Sequence, residues 1–191
     1  MMKLLSPLNY LKIKHEEKKW YDLYLPLAGA IFITIVYSYL PNQFKLIGNN
    51  GLISQVNGLL QVLIGFYIAA LAAVSTFGNA RIDDIMAGTP PTLKESFRGK
   101  MSSVKLTRRR FICYLFGYLA LVSFALFSIG LTTSLVGQNF AVWFASASSL
   151  WCLTALKIIF VFVYFLMLLN IATTTLLGLY FLAVRIHQSD I

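Results

Sequence analysis

FICYLFGYLALVSFALFSIGLTTSLVGQNFAVWFASASSLWCLTAL, residues 111–156, runs for 46 residues without an Asp, Glu, Lys, Arg or His. A helix of about 20 mostly apolar residues crosses the roughly 30 Å hydrocarbon core of a bilayer, so this stretch holds at least one crossing. On either side lie uncharged gaps at 158–184, 46–80 and 23–44, of 27, 35 and 22 residues. The chain of 191 residues is 58% hydrophobic and 12% charged, with a mean hydropathy of +0.73. Soluble domains carry about 25% charged residues. A soluble globular enzyme is excluded, and little chain is left for a folded domain outside a membrane.

The predicted fold is all-α: a polytopic four-transmembrane-helix bundle over residues 22–191, after a basic segment at 1–21. The crossings are expected at about 23–40, 52–78, 111–135 and 158–184. Pro26 fits the first turn of the first helix, where a missing N–H is harmless, and Pro41 stops it. Gly48-Asn49-Asn50-Gly51 is a turn signal before the second. Arg108-Arg109-Arg110 opens the third, Gly137-Gln138-Asn139 is expected to end it, and Arg185 closes the fourth. Residues 140–156 could form a fifth crossing. No Gly, Pro or Asn between Trp151 and Asn170 reverses the chain, however, so they read as an aromatic surface segment, with Trp143, Phe144 and Trp151 at headgroup level. Helices of 25–27 residues are about 40 Å long and must tilt or protrude.

Sixteen Lys and Arg balance seven Asp and Glu, a net charge of +9. Fourteen of the sixteen lie in 1–21, in 81–110 or at Arg185, leaving only Lys45 and Lys157 for the other connections. The positive-inside rule then places both termini and the loop 81–110 in the cytoplasm, which requires an even number of crossings. Residues 1–21 have no apolar core before a small-residue cleavage site, so the first crossing is expected to remain in the protein. Leu4, Leu8 and Leu11 recur at helical spacing ahead of Lys12, Lys14, Lys18 and Lys19, which suggests an amphipathic segment on the inner surface. In the loop, Thr92 followed by Glu95 after Pro90-Pro91 is a capping-box pattern and predicts a short helix over about 93–101.

Chemistry-bearing patterns are sparse. None of the four expected crossings contains an ionisable residue in its apolar interior, which argues against a proton-coupled transporter. Cys113 and Cys152 are expected at opposite membrane faces, too far apart to pair. His15 and His187 lack ligand spacing, so no metal and no cofactor is expected. Asp83-Asp84 read as loop charges opposing Arg81. No phosphate loop, H-E-x-x-H or G-x-S-x-G occurs.

Small residues recur at spacing four in Ala30/Thr34/Ser38, Gly65/Ala69/Ala73 and Asn170/Thr174/Gly178, stripes that let membrane helices approach closely, either within one bundle or between subunits. Asn170 needs a polar partner at membrane depth, whether as a structural clasp or at a pore axis, and Gln61 is one candidate. The cluster Lys100, Lys105, Arg108, Arg109 and Arg110 suits anionic lipid or an acidic cytosolic partner, each charge contributing about 1 kcal/mol near an anionic leaflet. Direct nucleic-acid binding is disfavoured, because aromatic interleaving is limited to Phe97.

The stretch ARIDDIMAGTPPTLKESFRGKMSSVKLTRRRFICY, residues 80–114, together with the arrangement of spans, resembles the membrane-subunit family (KwaA) of the bacterial Kiwa anti-phage defence system. The resemblance implies a non-enzymatic sensor and scaffold in the inner membrane. It further implies a homo-oligomer, with a tetramer favoured, and a cytosolic DNA-binding effector as partner. The alternative from the residues is a small oligomeric channel or solute exporter, with Asn170 and Thr174 lining its pore. A lipid-modifying enzyme ranks last, having only Asp83, Asp84, His15 and His187 to draw on.

Overall fold

The structure, a computed structural model, describes residues 3–14, 18–40, 45–48, 50–76, 78, 80–85, 90–97, 100–147 and 150–185. The chain is mostly helical, with α1 at Leu25–Tyr39, α2 at Leu52–Thr76, α3 at Arg108–Ala147 and α4 at Leu150–Tyr180. Among the described residues, four helical stretches are long and apolar enough to cross a membrane: Trp20–Tyr39, Leu52–Thr76, Arg108–Asn139 and Trp151–Ala183. Large apolar side chains face outward on all of them, Phe32 at 68% exposure, Val62 at 71%, Phe124 at 62% and Leu176 at 67%. Apolar surface on this scale calls for lipid or protein to cover it.

Local chemistry sets the helix ends. Pro26 lies in the first turn of α1, and Leu40, which precedes Pro41, turns extended at φ −67 and ψ 125. The connection to α2 is held by N–H bonds from Leu52 and Ile53 to the carbonyls of Lys45 and Leu46. Gly48 there takes φ +120, and a Cβ on Gly51 would lie 2.8 Å from the Leu46 carbonyl oxygen. Both positions therefore require glycine. Helix hydroxyls are satisfied locally: Thr34, Ser128, Thr132, Thr133 and Thr173 each donate to the carbonyl four residues back. That pairing hides the donor from hydrocarbon.

Three expectations are corrected. The third helix does not stop at Gly137-Gln138-Asn139. One glycine costs a helix only about 1 kcal/mol, no proline follows, and α3 continues to Ala147. The expected surface segment 140–156 is accordingly helical, apart from 148–149, which lie outside the described residues. At 40 residues α3 is about 60 Å long, twice the hydrocarbon thickness.

Second, the capping-box helix at 93–101 is a β-hairpin. β1 (Thr92–Phe97) pairs antiparallel with β2 (Lys100–Lys105), in a register that sets Thr92 opposite Lys105 and Phe97 opposite Lys100. Pro90-Pro91 biases the chain toward extended backbone. Across the strands Leu93 stands opposite Val104, the apolar pair of the hairpin.

Third, residues Lys3–Lys12 form a 3₁₀ helix that packs on α3. Leu11 on the expected apolar face is exposed, while Tyr10 and Ile13 are buried. Lys14 then bridges to Thr92, with backbone bonds of 3.0 and 3.3 Å.

The helices also run past the charged residues that bound the uncharged gaps: Asp22 is the third residue of the first candidate span, Lys157 the seventh of the last, and Arg108–Arg110 open the third.

Helix contacts follow the order α2–α3–α4–α1. The main core lies between α2, α3, α4 and the N-terminal helix, around Leu60, Tyr67, Phe116, Leu119, Leu126 and Ile171. A smaller one joins α1 to α4 through Ala30, Tyr37, Val161 and Phe165.

Candidate functional site

The residues that stand out chemically lie where the N-terminal segment enters between α3 and α4. Lys18 and Asp22, one turn apart, form an ion pair of 2.8 Å with both side chains only 9% exposed. Leu25 N–H bonds back to the Trp20 carbonyl, making residues Trp20–Tyr24 a π-turn, a feature frequent at functional sites. Tyr10 donates its hydroxyl to Asp22 Oδ1 at 3.2 Å, and Thr174 does the same from α4 at 3.4 Å. The Tyr10 ring stacks on Tyr118 at 4.9 Å between centroids and takes the Lys18 ammonium 4.1 Å over its centre. Asn170 completes the set. Its amide donates to the Asp22 backbone carbonyl at 2.8 Å, while its oxygen accepts from the Tyr118 hydroxyl at 2.6 Å.

These contacts neutralise charges that would otherwise be costly. The ammonium of Lys18 meets a carboxylate and an aromatic face, and the carboxylate of Asp22 meets the ammonium and two hydroxyls. Burial, then the adjacent Asp22 charge and the hydrogen bond to it, and lastly Tyr118, push Tyr10 well above the usual tyrosine range, so its phenol stays protonated as a donor. The arrangement is a closed polar clasp joining the N-terminal segment, the start of the first span, α3 and α4.

The predicted site residues are placed as follows. Asn170, Thr174 and Gly178 face inward within the chain, and a Cβ on Gly178 would lie 2.9 Å from Leu115. The proposed partner of Asn170, Gln61, is exposed on α2, and Tyr118 and Asp22 bind the amide instead. Gly65, Ala69 and Ala73 lie exposed on α2, with open space above Gly65. Ala30 is buried and Ser38 exposed on α1.

The basic cluster is divided. Arg108 is 7% exposed at the start of α3, with its N–H on the Asp84 carbonyl. Arg109 grips Asp83 with two bonds of 2.7 and 3.0 Å and reaches the carbonyls of Val74 and Ser75 at the end of α2. Asp83 is thus a partner of Arg109, while the side chain of Arg81, expected to oppose it, lies outside the described residues. Lys105 and Arg110 are exposed. Lys100 lies on β2, and its side chain is outside the described residues.

Cys113 is half-buried on α3 and Cys152 exposed near the start of α4. His15 and His187 lie outside the described residues. Among the described residues no group of three or more His, Cys, Asp or Glu gathers to hold a metal.

Tyr10, Lys18, Asp22 and Tyr118 were missed by the sequence reading. The available signal was the i, i+4 spacing of Lys18 and Asp22 immediately before a crossing. No protein-family model, curated protein or solved structure matches this chain.

Proposed function

We propose that this chain is a non-enzymatic sensor and scaffold of an anti-phage defence complex in the bacterial inner membrane. One observation carries the reading: Tyr118, Asn170 and Thr174, on helices long enough to span, close on Asp22, Lys18 and Tyr10. Lys14 extends the link from the N-terminal segment to the hairpin. A shift of α4 against α3 therefore reaches the elements outside the spans. Long spans answer changes in bilayer thickness by tilting, which supplies the stimulus.

The four helices form a bundle with both termini in the cytoplasm, a placement supported by the fourteen Lys and Arg in the segments assigned to that side. There the exposed Lys105 and Arg110, with Lys100, recruit a cytosolic effector or anionic headgroups. That the effector binds DNA follows from the resemblance of residues 80–114, and the chain itself makes no direct nucleic-acid contact. The exposed Gly65/Ala69/Ala73 face permits close approach of a second copy. It supports a homo-oligomer, with the tetramer coming from the resemblance.

Affinity capture in mild detergent, from cells carrying the native neighbouring genes, followed by mass measurement of the intact complex, tests this. The expected product is an oligomeric membrane core with a stoichiometric cytosolic protein, lost on charge reversal at Lys105 and Arg110. A bare oligomer that conducts ions in liposomes overturns the reading in favour of a channel.

A further inference from the structure

Lys157 is the only charged residue between Arg110 and Arg185, and it lies inside the span Trp151–Ala183. An ionisable side chain within a span is costly and requires a partner. Among the described residues no carboxylate pairs with it. It sits about 9 Å along α4 from Trp151, whose 87% exposure suits the headgroup belt. Lys157 can therefore reach headgroup level while its stem stays in apolar surroundings.

At this position the structure holds a cleft of about 420 Å³ between α3, α4 and the α1–α2 connection, lined by Leu46, Ile47, Val136, Leu153, Phe160 and Lys157. Ligand sites commonly enclose about 300–1,000 Å³. Two further lining residues, Thr132 and Thr133, already spend their hydroxyls on the Ser128 and Ile129 carbonyls, at 2.9 and 2.8 Å. Among the described residues, the one charged side chain that lines the cleft is Lys157.

We infer that this cleft binds an anionic glycerophospholipid of the surrounding bilayer, its phosphate on Lys157 and an acyl chain against Phe160 and Leu153. An apolar lining cannot by itself choose a lipid, because bulk lipid tails are as apolar as leucine. Selection comes from the charge, and one lysine near an anionic headgroup corresponds to about a fivefold preference over a zwitterionic one. The site lies at the far end of α3 from the Arg108–Arg110 cluster, about 38 Å from Arg108 to Thr133. It requires only that α3 and α4 span the membrane, and it stands or falls separately from the sensor reading.

The test reconstitutes the full chain in phosphatidylcholine vesicles doped with photoactivatable phosphatidylglycerol or, in parallel, with phosphatidylcholine bearing the same photoactivatable tail. Cross-linked peptides are then mapped by mass spectrometry. Phosphatidylglycerol is expected to label residues 132–137 and 153–160 about fivefold more than phosphatidylcholine. Lys157→Gln should equalise the two probes and Lys157→Arg should keep the preference. Gly137→Leu, which builds a side chain into the cleft, should lower labelling by both. Equal labelling of the wild type, a preference that survives Lys157→Gln, or labelling by either probe that misses residues 132–137 and 153–160 would each overturn the proposal.

Discussion

Asn170 of α4 donates its side-chain N–H to the backbone carbonyl of Asp22 at 2.8 Å, tying the middle of the last span to the start of the first. The same amide accepts from Tyr118 on α3, so one residue joins three elements that lie far apart in sequence. Replacing it with leucine leaves two polar groups without partners in an apolar interior. Asn170→Leu should cost about 1–2 kcal/mol, combining a modest membrane hydrogen bond with a stranding penalty. Thermal unfolding in mild detergent measures the loss, and an unchanged midpoint would show the amide to be dispensable.

The Lys18–Asp22 pair predicts a characteristic order among variants. Removing one partner abandons a buried charge, at about 3–5 kcal/mol, whereas replacing both with apolar side chains relieves it. Lys18→Met and Asp22→Leu should each destabilise more than the double variant does. Denaturation midpoints of the four proteins form the cycle that reads this coupling.

Tyr10 gives the clasp a pH limit. Its folded value lies above the ordinary 10.0, so the folded state favours the neutral phenol. That contribution is whole below pH 10 and is lost as the pH rises beyond it. Thermal midpoints should fall more steeply above pH 10 for the wild type than for Tyr10→Phe. Parallel curves would exclude Tyr10 as the titrating group.

The neighbouring arginines should separate into structural and recognition roles. Arg109→Ala removes the bonds to Asp83 and to the carbonyls ending α2, a loss of about 1 kcal/mol that lowers the thermal midpoint by about 2–4 °C. Arg110→Glu, at an exposed position, should weaken partner capture.

The four spans were legible because charged residues delimit uncharged gaps of sufficient length. The same rule concealed the clasp. Asp22 and Lys157 defined the edges of gaps and were taken to lie outside the membrane, whereas the helices continue past both. Tyr10 lies off the Leu4/Leu8/Leu11 stripe, so periodicity does not mark it as the buried anchor, while Leu11 beside it faces out. Thr92 and Glu95 satisfy a capping pattern, and Leu93, Phe97 and Met101 recur at helical spacing, but the consecutive prolines start the segment in extended backbone and it forms a hairpin. Asn170 was recognisable as needing a partner. Its partners were not, since the backbone of Asp22 and the hydroxyl of Tyr118 carry no sequence signature for each other.

Hydrogen–deuterium exchange of residues 3–14 and 92–105, in short-chain and long-chain phospholipid bilayers, tests most directly whether the spans communicate with these elements. The account predicts that exchange in both segments changes with bilayer thickness in the wild type, and that Asn170→Leu uncouples the N-terminal segment from that change. Exchange that is the same in both bilayers, or a response to thickness that persists undiminished in Asn170→Leu, would contradict it.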